Sequence, residues 1–205
     1  MQTKQRKPKK EEDARERVLQ TAESLFNEYG YTSVTVQHIA KKLGIKAASL
    51  YYHAPGGKEE LFVMVMERSL ARHREGIRQA LAGADSDLRS RCCAVIGWFL
   101  SQGPLGYLRL LMSDLAGIEP LTAQRLRNLS HDCLMRPICH IFEEAAKNGE
   151  IGESQPEILA SSLLSMVDGI WYASTVQQSS LTMQEMAAGY IDVLLDGLRP
   201  RGSGA

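Results

Sequence analysis

A glycine between two short helical patterns limits the fold of this chain more than any other feature. Before Gly44, apolar residues recur at the spacing of one helix face, and Thr35 stands where a helix N-cap is favourable. Because Gly commonly follows the last residue of a helix, the pattern predicts a short helix over residues 36–43. The residues of its inward face are Ile39, Ala40 and Leu43.

A second short helix is predicted directly after this glycine, over residues 47–53, with Leu50 as its inward residue. Residues 55–57, Pro-Gly-Gly, then interrupt the chain, and a long helix is expected over residues 58–81. Two short helices around a glycine turn form a helix-turn-helix, a unit that many small helical proteins contain. Its role must therefore be decided from the residues and not from the spacing alone.

Helical periodicity also dominates the rest of the chain. Residues 11–29 carry an amphipathic pattern that ends before Gly30, and no stretch shows the period-two alternation of a strand. We therefore expect an all-α protein of about nine helices, with Pro137 kinking one of them. The remaining helices are predicted over approximately 87–102, 104–115, 120–148, 155–178 and 182–198.

The composition excludes several classes of protein. No apolar run approaches the ~18–20 residues of a membrane span, and the N-terminus lacks the apolar core of a signal peptide, so we expect a cytoplasmic protein. The sequence contains no phosphate-binding loop, nucleotide fingerprint, metal motif or catalytic Ser-His-Asp order. We therefore expect neither an enzyme nor a site for a metal or cofactor.

Two features leave alternatives open. The chain is neutral overall, but residues 1–10 are strongly basic, so they form either an arm that contacts a polyanion or a flexible, solvated tail. The cysteines fit no zinc-site spacing and no redox motif, so they are either buried thiols of a reducing compartment or redox sensors. They are Cys92, Cys93, Cys133 and Cys139.

The residues around the helix-turn-helix carry a more specific pattern. The stretch AESLFNEYGYTSVTVQHIAKKLGIKAASLYYHAPGGKEELF resembles the N-terminal DNA-binding domain of the TetR family of transcriptional regulators, over about residues 12–65. The form PGGKEEL resembles the multidrug-responsive and flavonoid-responsive members of that family. The matching residues are Phe26, Gly30, Tyr31, Thr35, Ile39, Ala40, Leu43, Gly44, Ile45, Leu50, Tyr51, Tyr52, His53, Lys58, Glu59, Glu60 and Leu61.

The resemblance implies a division of the chain and a mechanism. Residues 11–60 would bind double-stranded operator DNA, and residues 61–199 would form a helical domain for ligand binding and dimerisation. Residues 1–10 and 200–205 would be a flexible arm and tail. A homodimer would repress transcription from a near-palindromic operator until a small apolar or aromatic molecule released it. Response to thiol oxidation or to a protein partner, or action as an activator, remain alternatives.

The same resemblance assigns DNA contacts to the helix-turn-helix. Thr35 and Gln37 would meet phosphates at the start of the first short helix, and Ala47, Ala48 and Ser49 would face the base edges. The remaining contacts would be Lys46, Tyr51, Tyr52, His53 and Lys58. For Tyr51, Tyr52 and His53, packing into the protein is the alternative to a DNA contact.

Three residues depart from the usual family pattern. Many members have Ser or Thr in place of Lys46, and Lys cannot cap a helix, so we interpret Lys46 as a DNA contact. Many members have Phe in place of Ala54. The break before Lys58 also carries one glycine more than is common, which weakens the transfer of its role by position.

The C-terminal half supplies candidates for a ligand pocket and a dimer interface, with plain core packing as the alternative for each pocket residue. The pocket candidates are Trp98, Phe99, Tyr107, Leu111, Met112, Leu115, Met135, His140, Met166, Trp171 and Tyr172. Asp114 and Asp168 also lie within apolar patterns and are candidates to orient a ligand. Two stripes would pair across a two-fold axis as a four-helix bundle: Leu159, Leu163, Val167 and Ile170, with Met186, Tyr190, Val193 and Leu194.

Overall fold

The structure, a computed structural model, describes residues 7–104, 106, 109–176 and 180–198, and side chains from residue 12 onward. All regular secondary structure in this described part is helical, which confirms the predicted all-α class. The helices are α1 Lys7–Ser33, α2 Val36–Leu43, α3 Ala47–His53, α4 Gly57–Ala82, α5 Leu88–Gln102, α6 Pro120–Ser130, α7 Arg136–Lys147, α8 Pro156–Thr175 and α9 Met183–Leu198.

The predicted terminal segments fall largely outside the described residues. Residues 1–6 of the predicted arm and residues 200–205 of the predicted tail are not among them. Helix α1 begins at Lys7, so it includes the last residues of the arm. Within α1, Gly30 has φ 77° and ψ 164°, which breaks the helix where the sequence predicted its end. None of the described helices is long and apolar enough to cross a membrane.

Two predicted helices differ in form from the expectation. In place of the end of a helix over 104–115, the structure has a π-helical turn, Leu110–Asp114, followed by a 3₁₀ turn, Leu115–Gly117. We call these two turns together the 110–117 segment. Residues 105, 107 and 108 lie outside the described part.

The predicted long helix 120–148 consists of α6, a π-helical turn His131–Met135 and α7. Pro137 stands in the first turn of α7, directly after the π-helical turn. Proline has no N–H, and its ring would collide with a carbonyl one turn earlier in a regular helix. The wider π-helical turn accommodates it, so the expected irregularity is present just before the proline.

The chain divides into two compact units. The first unit is Met1–Ser69 with Arg109–Arg127, so it contains α1, α2, α3, the start of α4, the 110–117 segment and most of α6. Residues 109–127 therefore belong to the first unit and not, as predicted, to the C-terminal domain. The core of the first unit contains buried residues from all of its helical elements, among them Phe26, Ile39, Leu50, Phe62, Leu115 and Leu126.

The second unit is Leu70–Leu108 with Asn128–Ala205. Its core is formed by the end of α4 together with α5, α7, α8 and α9. The large side chains that are almost completely buried there include Phe99, Ile138, Phe142 and Ile96. Each such side chain stabilises the fold by about 1.5–3 kcal/mol relative to an exposed position.

Candidate nucleic-acid interface

Helix α2 begins and ends through local interactions of the two residues that predicted its limits. Thr35 is the N-cap, and its Oγ1 accepts a 3.1 Å hydrogen bond from the backbone N–H of His38. Gly44 adopts the left-handed conformation, φ 70°, and its N–H donates to the carbonyl of Lys41. The predicted capping and termination of this helix are therefore confirmed.

Helix α3 is anchored in the first unit by one side chain. Leu50 is its buried residue, and Ala54, the C-cap, is also buried. Lys46 precedes the helix in an extended conformation and makes no side-chain capping bond, as predicted for a lysine at this position. Ala54 thus occupies the core, where the larger Phe of other sequences would need more space.

Most of the predicted contacts of α2 and α3 are exposed together. Tyr52 is 70% exposed and Tyr51 is 49% exposed, so burial in the core does not explain either ring. Ala47 is half-buried and packs against the core of the first unit, and His53 is half-buried beside the Tyr52 ring at 5.3 Å. The other exposed residues of the set are Thr35, Gln37, Lys46, Ala48 and Ser49.

Lys58, which was predicted to contact DNA, makes its contacts within the protein. Its Nζ donates a 3.1 Å hydrogen bond to the carbonyl oxygen of Tyr31 and lies 4.0 Å from the centroid of that ring. The side chain is half-buried, so the structure engages its ammonium group within the first unit. The spacing along the sequence could not reveal this contact, because Tyr31 is on α1.

The turn between α3 and α4 needs its glycines. Gly57 has φ 72°, a conformation that is strained for other residues, so the additional glycine of this sequence has a defined role. The backbone N–H of Gly56 donates a 2.6 Å hydrogen bond to the Glu60 carboxylate, which satisfies an amide ahead of the first turn of α4.

Two further lysines lie on this surface that were not among the predicted DNA contacts. Lys41 and Lys42 are exposed at the C-terminal end of α2, close in sequence to Lys46. Between Tyr29 and Lys58 the sequence contains no Asp or Glu. This run without acids is the signal that could have identified both lysines, since a phosphate backbone favours uninterrupted positive charge.

The predicted ligand-pocket residues are not brought together. Phe99 and Met135 lie in the core of the second unit, and Trp98, Met166 and Trp171 are partly buried against it. His140 and Tyr172 are exposed, and Tyr107 lies outside the described residues. Leu111 and Leu115 pack in the first unit, and Met112 is exposed. Leu111, Met112 and Leu115 therefore do not line a cavity of the second unit.

The two candidate aspartates bind backbone amides. Asp114 is buried, and its Oδ1 accepts a hydrogen bond from the N–H of Tyr31 at 2.8 Å. Asp168 on α8 accepts a 2.9 Å hydrogen bond from the N–H of Gly106. Each carboxylate thus already has a partner within its own unit.

Three buried ring nitrogens of the second unit have no hydrogen-bond partner among the described residues. They are Nδ1 of His73, Nε1 of Trp98 and Nε1 of Trp171. Burial lowers the pKa of His73 to about 4, with a further contribution from the nearby charge of Arg72, so its imidazole is neutral at pH 7. Buried polar atoms usually have a partner, so these three are candidates to bond a ligand or water.

Two of the open clefts of the second unit are lined entirely by described residues. One has a volume of about 600 Å³ and the other about 250 Å³. The larger is lined by His131, Asp132, Arg136, Pro137, Cys139, His140, Glu143 and Glu157. The smaller is lined by Cys93, Gly97, Leu100, Ser101, Met183, Gln184, Ala187 and Ala188. Neither contains the unpartnered ring nitrogens.

The cysteines lie in environments that disfavour the thiolate. Burial raises the pKa of the Cys92 thiol to about 12. Burial also raises the pKa values of Cys93, Cys133 and Cys139. Since the thiolate is the form that reacts with oxidants, these environments favour the buried-thiol interpretation over redox sensing.

The predicted dimer stripe on α8 needs correction. Its residues lie in the core of their own unit, because they pack against neighbouring helices of the same chain. These residues are Leu159, Leu163, Val167 and Ile170, and Met186 of α9 is buried with them. On α9, Tyr190 and Val193 are exposed and Leu194 is half-buried.

A different face of α8 is exposed and apolar. Ile158 is 57% exposed, Tyr172 54% and Val176 62%. These three residues and the small residues between them repeat at three or four positions, which is the period of one helix face. The small residues are Ser161, Ser165 and Gly169.

Known proteins match the helix-turn-helix region of this chain and, in one case, almost its whole length. Residues 18–65 match the family model described as bacterial regulatory proteins, tetR family. The HTH-type transcriptional regulator LmrA of Bacillus subtilis is 26% identical over 194 residues, which are 89% of this chain and 97% of LmrA. The negative transcriptional regulator IcaR of the icaADBC biofilm operon of Staphylococcus epidermidis is 42% identical over 48 residues, 23% of this chain and 25% of IcaR.

Solved structures share the fold over almost the whole chain. A bacterial regulatory protein in the tetR family from Rhodococcus RHA1 has a TM-score of 0.73 at 19% identity, with 91% of this chain and 97% of that chain covered. AibR, solved in complex with isovaleryl coenzyme A and operator DNA, has a TM-score of 0.72 at 21% identity, with 87% and 96% covered.

Proposed function

Because residues 18–65 of this chain belong to the tetR family of bacterial regulatory proteins, we propose that the protein is a homodimeric repressor that a small molecule releases from operator DNA. The chain carries a DNA-binding helix-turn-helix, and its relatives are transcriptional regulators and not enzymes. The observation that carries the proposal is the exposed face of α2 and α3, which presents lysines, tyrosines and small residues without an acid.

The proposed DNA contacts divide into two kinds. Around the start of α2, Gln37 and the hydroxyl hydrogen of Thr35 would donate to phosphate oxygens, since the capping bond uses Thr35 Oγ1 only as an acceptor. Lys41, Lys42 and Lys46 would bring positive charge to the phosphate backbone of the DNA. Ala48 and Ser49 would meet base edges in the major groove, where a methyl group packs against thymine and a hydroxyl bonds a base.

The aromatic residues would border the same groove. Tyr51 and Tyr52 are exposed enough to reach a phosphate or sugar, and the imidazole of His53 stands against the Tyr52 ring. Ala47 and Lys58 contribute less, because one packs on the core and the other is bonded to Tyr31.

A second copy of the chain would cover the exposed face of α8. Its small residues would let two helices approach closely, while Ile158, Tyr172 and Val176 would exclude water around them. Tyr190 and Val193 are exposed apolar side chains on α9, and we place them in the same interface, so that four helices would form it. A two-fold dimer would place two α3 helices on one operator, so the proposed operator is near-palindromic.

The proposed effector is a small molecule with an apolar or aromatic body and hydrogen-bond acceptors. The ring nitrogens of Trp98 and Trp171 are buried donors without a partner among the described residues, and His73 packs against Phe99 at 5.2 Å. The fold neighbour AibR was solved in complex with isovaleryl coenzyme A and operator DNA, which supports a fold that binds both a small molecule and DNA. Repression is supported by the negative regulator IcaR, which matches the DNA-binding domain. A protein with this role acts in the cytoplasm.

An in vitro selection tests the proposal directly. Full-length protein is incubated with a random duplex library, bound DNA is enriched, and the affinity for the selected sequence is measured by fluorescence anisotropy. We expect a near-palindromic sequence, bound about 10³-fold more tightly than random DNA. Enrichment of no sequence, with equal affinity for all duplexes, would contradict the proposal.

A further inference from the structure

Lys58 lies at the start of α4, and its ammonium group contacts one residue of α1 in two ways. Its Nζ donates a 3.1 Å hydrogen bond to the carbonyl oxygen of Tyr31. The same atom lies 4.0 Å from the centroid of the Tyr31 ring, which adds a cation–π contact. Moving the ammonium group to a phosphate of bound DNA would break both contacts.

Tyr31 is a fixed anchor for this lysine. Its side chain is buried, and its ring packs against Phe26 of α1 and Phe62 of α4, with centroid distances of 6.1 and 4.8 Å. Its backbone N–H donates a 2.8 Å hydrogen bond to the buried carboxylate of Asp114. Contacts other than the one with Lys58 therefore hold Tyr31 in place within the first unit.

The turn between α3 and α4 ends directly at Lys58. Gly57, the preceding residue, has φ 72°, and its N–H donates a 2.9 Å hydrogen bond to the carbonyl oxygen of Ala54, the C-cap of α3. A Cβ atom on Gly57 would lie 3.5 Å from Cε1 of Tyr51, so the Tyr51 ring lies beside this turn. A single residue thus separates the anchored Lys58 from the exposed ring on α3.

The charges around Lys58 are unfavourable for a phosphate. Glu59 and Glu60 stand in the first turn of α4. The Glu60 carboxylate accepts a 2.6 Å hydrogen bond from the backbone N–H of Gly56. The amides at the start of a helix are a common phosphate site, but here a carboxylate of the chain already binds the amide that precedes α4. A phosphate at Lys58 would also be repelled by the two glutamates.

We propose that Lys58 is a positioning residue for operator binding and not a contact to DNA. Its ammonium group ties the turn after α3 to the end of α1, and this turn fixes the Tyr51 ring on the DNA-binding surface. Loss of the ammonium group loosens the turn and displaces the ring. This role rests on the proposed function, because the position of Tyr51 affects binding only if α3 meets DNA.

The salt dependence of binding separates a positioning residue from a phosphate contact. Lys58→Met keeps a long side chain but removes the ammonium group, and we expect about tenfold weaker binding of the selected duplex, as for loss of a hydrogen bond to a charged group. The salt slope should remain that of the wild type, because Lys58 neutralises no phosphate. Lys46→Met is the matched comparison and should reduce the slope by about one. An equal reduction in Lys58→Met would overturn the proposal.

A conservative variant tests whether the contact with Tyr31 is the cause. Lys58→Arg keeps a cation and N–H donors that can reach the carbonyl oxygen and the ring of Tyr31. It should regain part of the affinity that Lys58→Met loses. Binding as weak as that of Lys58→Met would contradict the role of this contact.

Hydrogen exchange of the protein without DNA tests the turn itself. In Lys58→Met, the amides of Ala54 and Gly57 should exchange about tenfold faster. The amides of Ile39 and Ala40, which lie on α2 in the same unit, should exchange as in the wild type. Unchanged exchange at Ala54 and Gly57, or equal acceleration at all four amides, would rule out a local effect on the turn.

Magnetic resonance of the wild type locates the ammonium group even if a variant does not fold. With isotope-labelled lysine, the ε-methylene protons of Lys58 should resonate upfield of those of the exposed Lys147, because they lie near the face of the Tyr31 ring. This shift should persist when the selected duplex is bound. Its absence in the free protein, or its loss on binding, would overturn the proposal. If the wild type selects no DNA, the proposed function fails, and the shift in the free protein still decides whether Tyr31 holds Lys58.

Discussion

The indole of Trp98 on α5 lies directly across the backbone of α4 at Gly76. A Cβ atom at position 76 would lie 2.0 Å from Cε2 and Cζ2 of Trp98, far inside the contact distance of two carbon atoms. The glycine is therefore required by packing, although it lies inside a helix, where glycine is otherwise unfavourable. Trp98 is also one of the residues whose ring nitrogen is buried without a partner among the described residues.

The first prediction concerns this contact. Gly76→Ala should lower the free energy of unfolding of the second unit by about 1–3 kcal/mol, because the indole must move out of its position. Denaturant unfolding followed by tryptophan fluorescence measures the change. Gly97→Ala is the matched control, since a Cβ there meets no atom within 4 Å. It should stabilise α5 by about 0.5–1 kcal/mol. Equal effects of the two substitutions would contradict the packing argument.

The second prediction concerns charge on the DNA-binding surface. Lys46→Ala should weaken binding of the selected duplex and reduce the salt dependence by about one counterion, because one phosphate contact is lost. Anisotropy titrations at several salt concentrations measure both quantities. Lys147→Ala, an exposed lysine at the end of α7, is the control and should leave both unchanged. An unchanged salt slope in Lys46→Ala would remove this residue from the interface.

The third prediction concerns the phenol of Tyr52. Tyr52→Phe keeps the ring but removes the hydroxyl, so binding of the selected duplex should weaken by about three- to tenfold, as for the loss of one hydrogen bond. Thermal unfolding should show that the variant remains folded, because the ring is 70% exposed. Binding equal to that of the wild type would show that the hydroxyl makes no contact with DNA.

The fourth prediction tests the proposed dimer. Val193→Asp would bury a charge in the interface between two copies, so it should shift the protein from dimer to monomer and weaken operator binding. Analytical ultracentrifugation measures the mass. Leu121→Asp is the control, because Leu121 is similarly exposed but lies in the first unit. A dimer that persists in Val193→Asp would exclude this part of α9 from the interface.

The fifth prediction concerns pH. The pKa of His73 in the folded protein is lowered to about 4 from its ordinary value of 6.5, mainly because the ring is buried. Between these values the unfolded chain binds a proton that the folded chain does not, so stability decreases as the pH falls from 6.5 to 4. Above pH 6.5 the ring is neutral in both states and does not lower the free energy of unfolding. Between pH 6.5 and 4 the free energy of unfolding falls by at most about 1.4 kcal/mol per pH unit. His73→Phe should remove this part of the pH dependence in denaturant unfolding curves. Curves of the same slope with and without His73 would contradict the assignment.

The sequence predicted those parts of the structure that depend on local interactions. Thr35 caps α2 through an amide three residues away, and Gly44 ends the same helix through its own backbone conformation. Both effects act within one turn of helix, so the residues on either side suffice to predict them.

The parts that the sequence did not predict depend on distant residues. Lys58 is directed inward by Tyr31, and Asp114 is bonded to the same residue across 83 positions. No periodicity contains such information. On α8 the apolar stripe that includes Leu159 was expected at the dimer interface. This stripe is instead buried in the core of the same chain, and the face with Ile158 and Gly169 remains exposed.

Leu50 is the only buried residue of helix α3, and Ala47 packs against the same core at the start of the helix. Ala48 and Ser49 are exposed between them. Under the proposed function, operator preference would change on substitution of Ala48 and Ser49, which are both exposed, without compensating substitutions in the core. The exposed positions of α3 could then be exchanged both in evolution and in the construction of regulators with chosen targets.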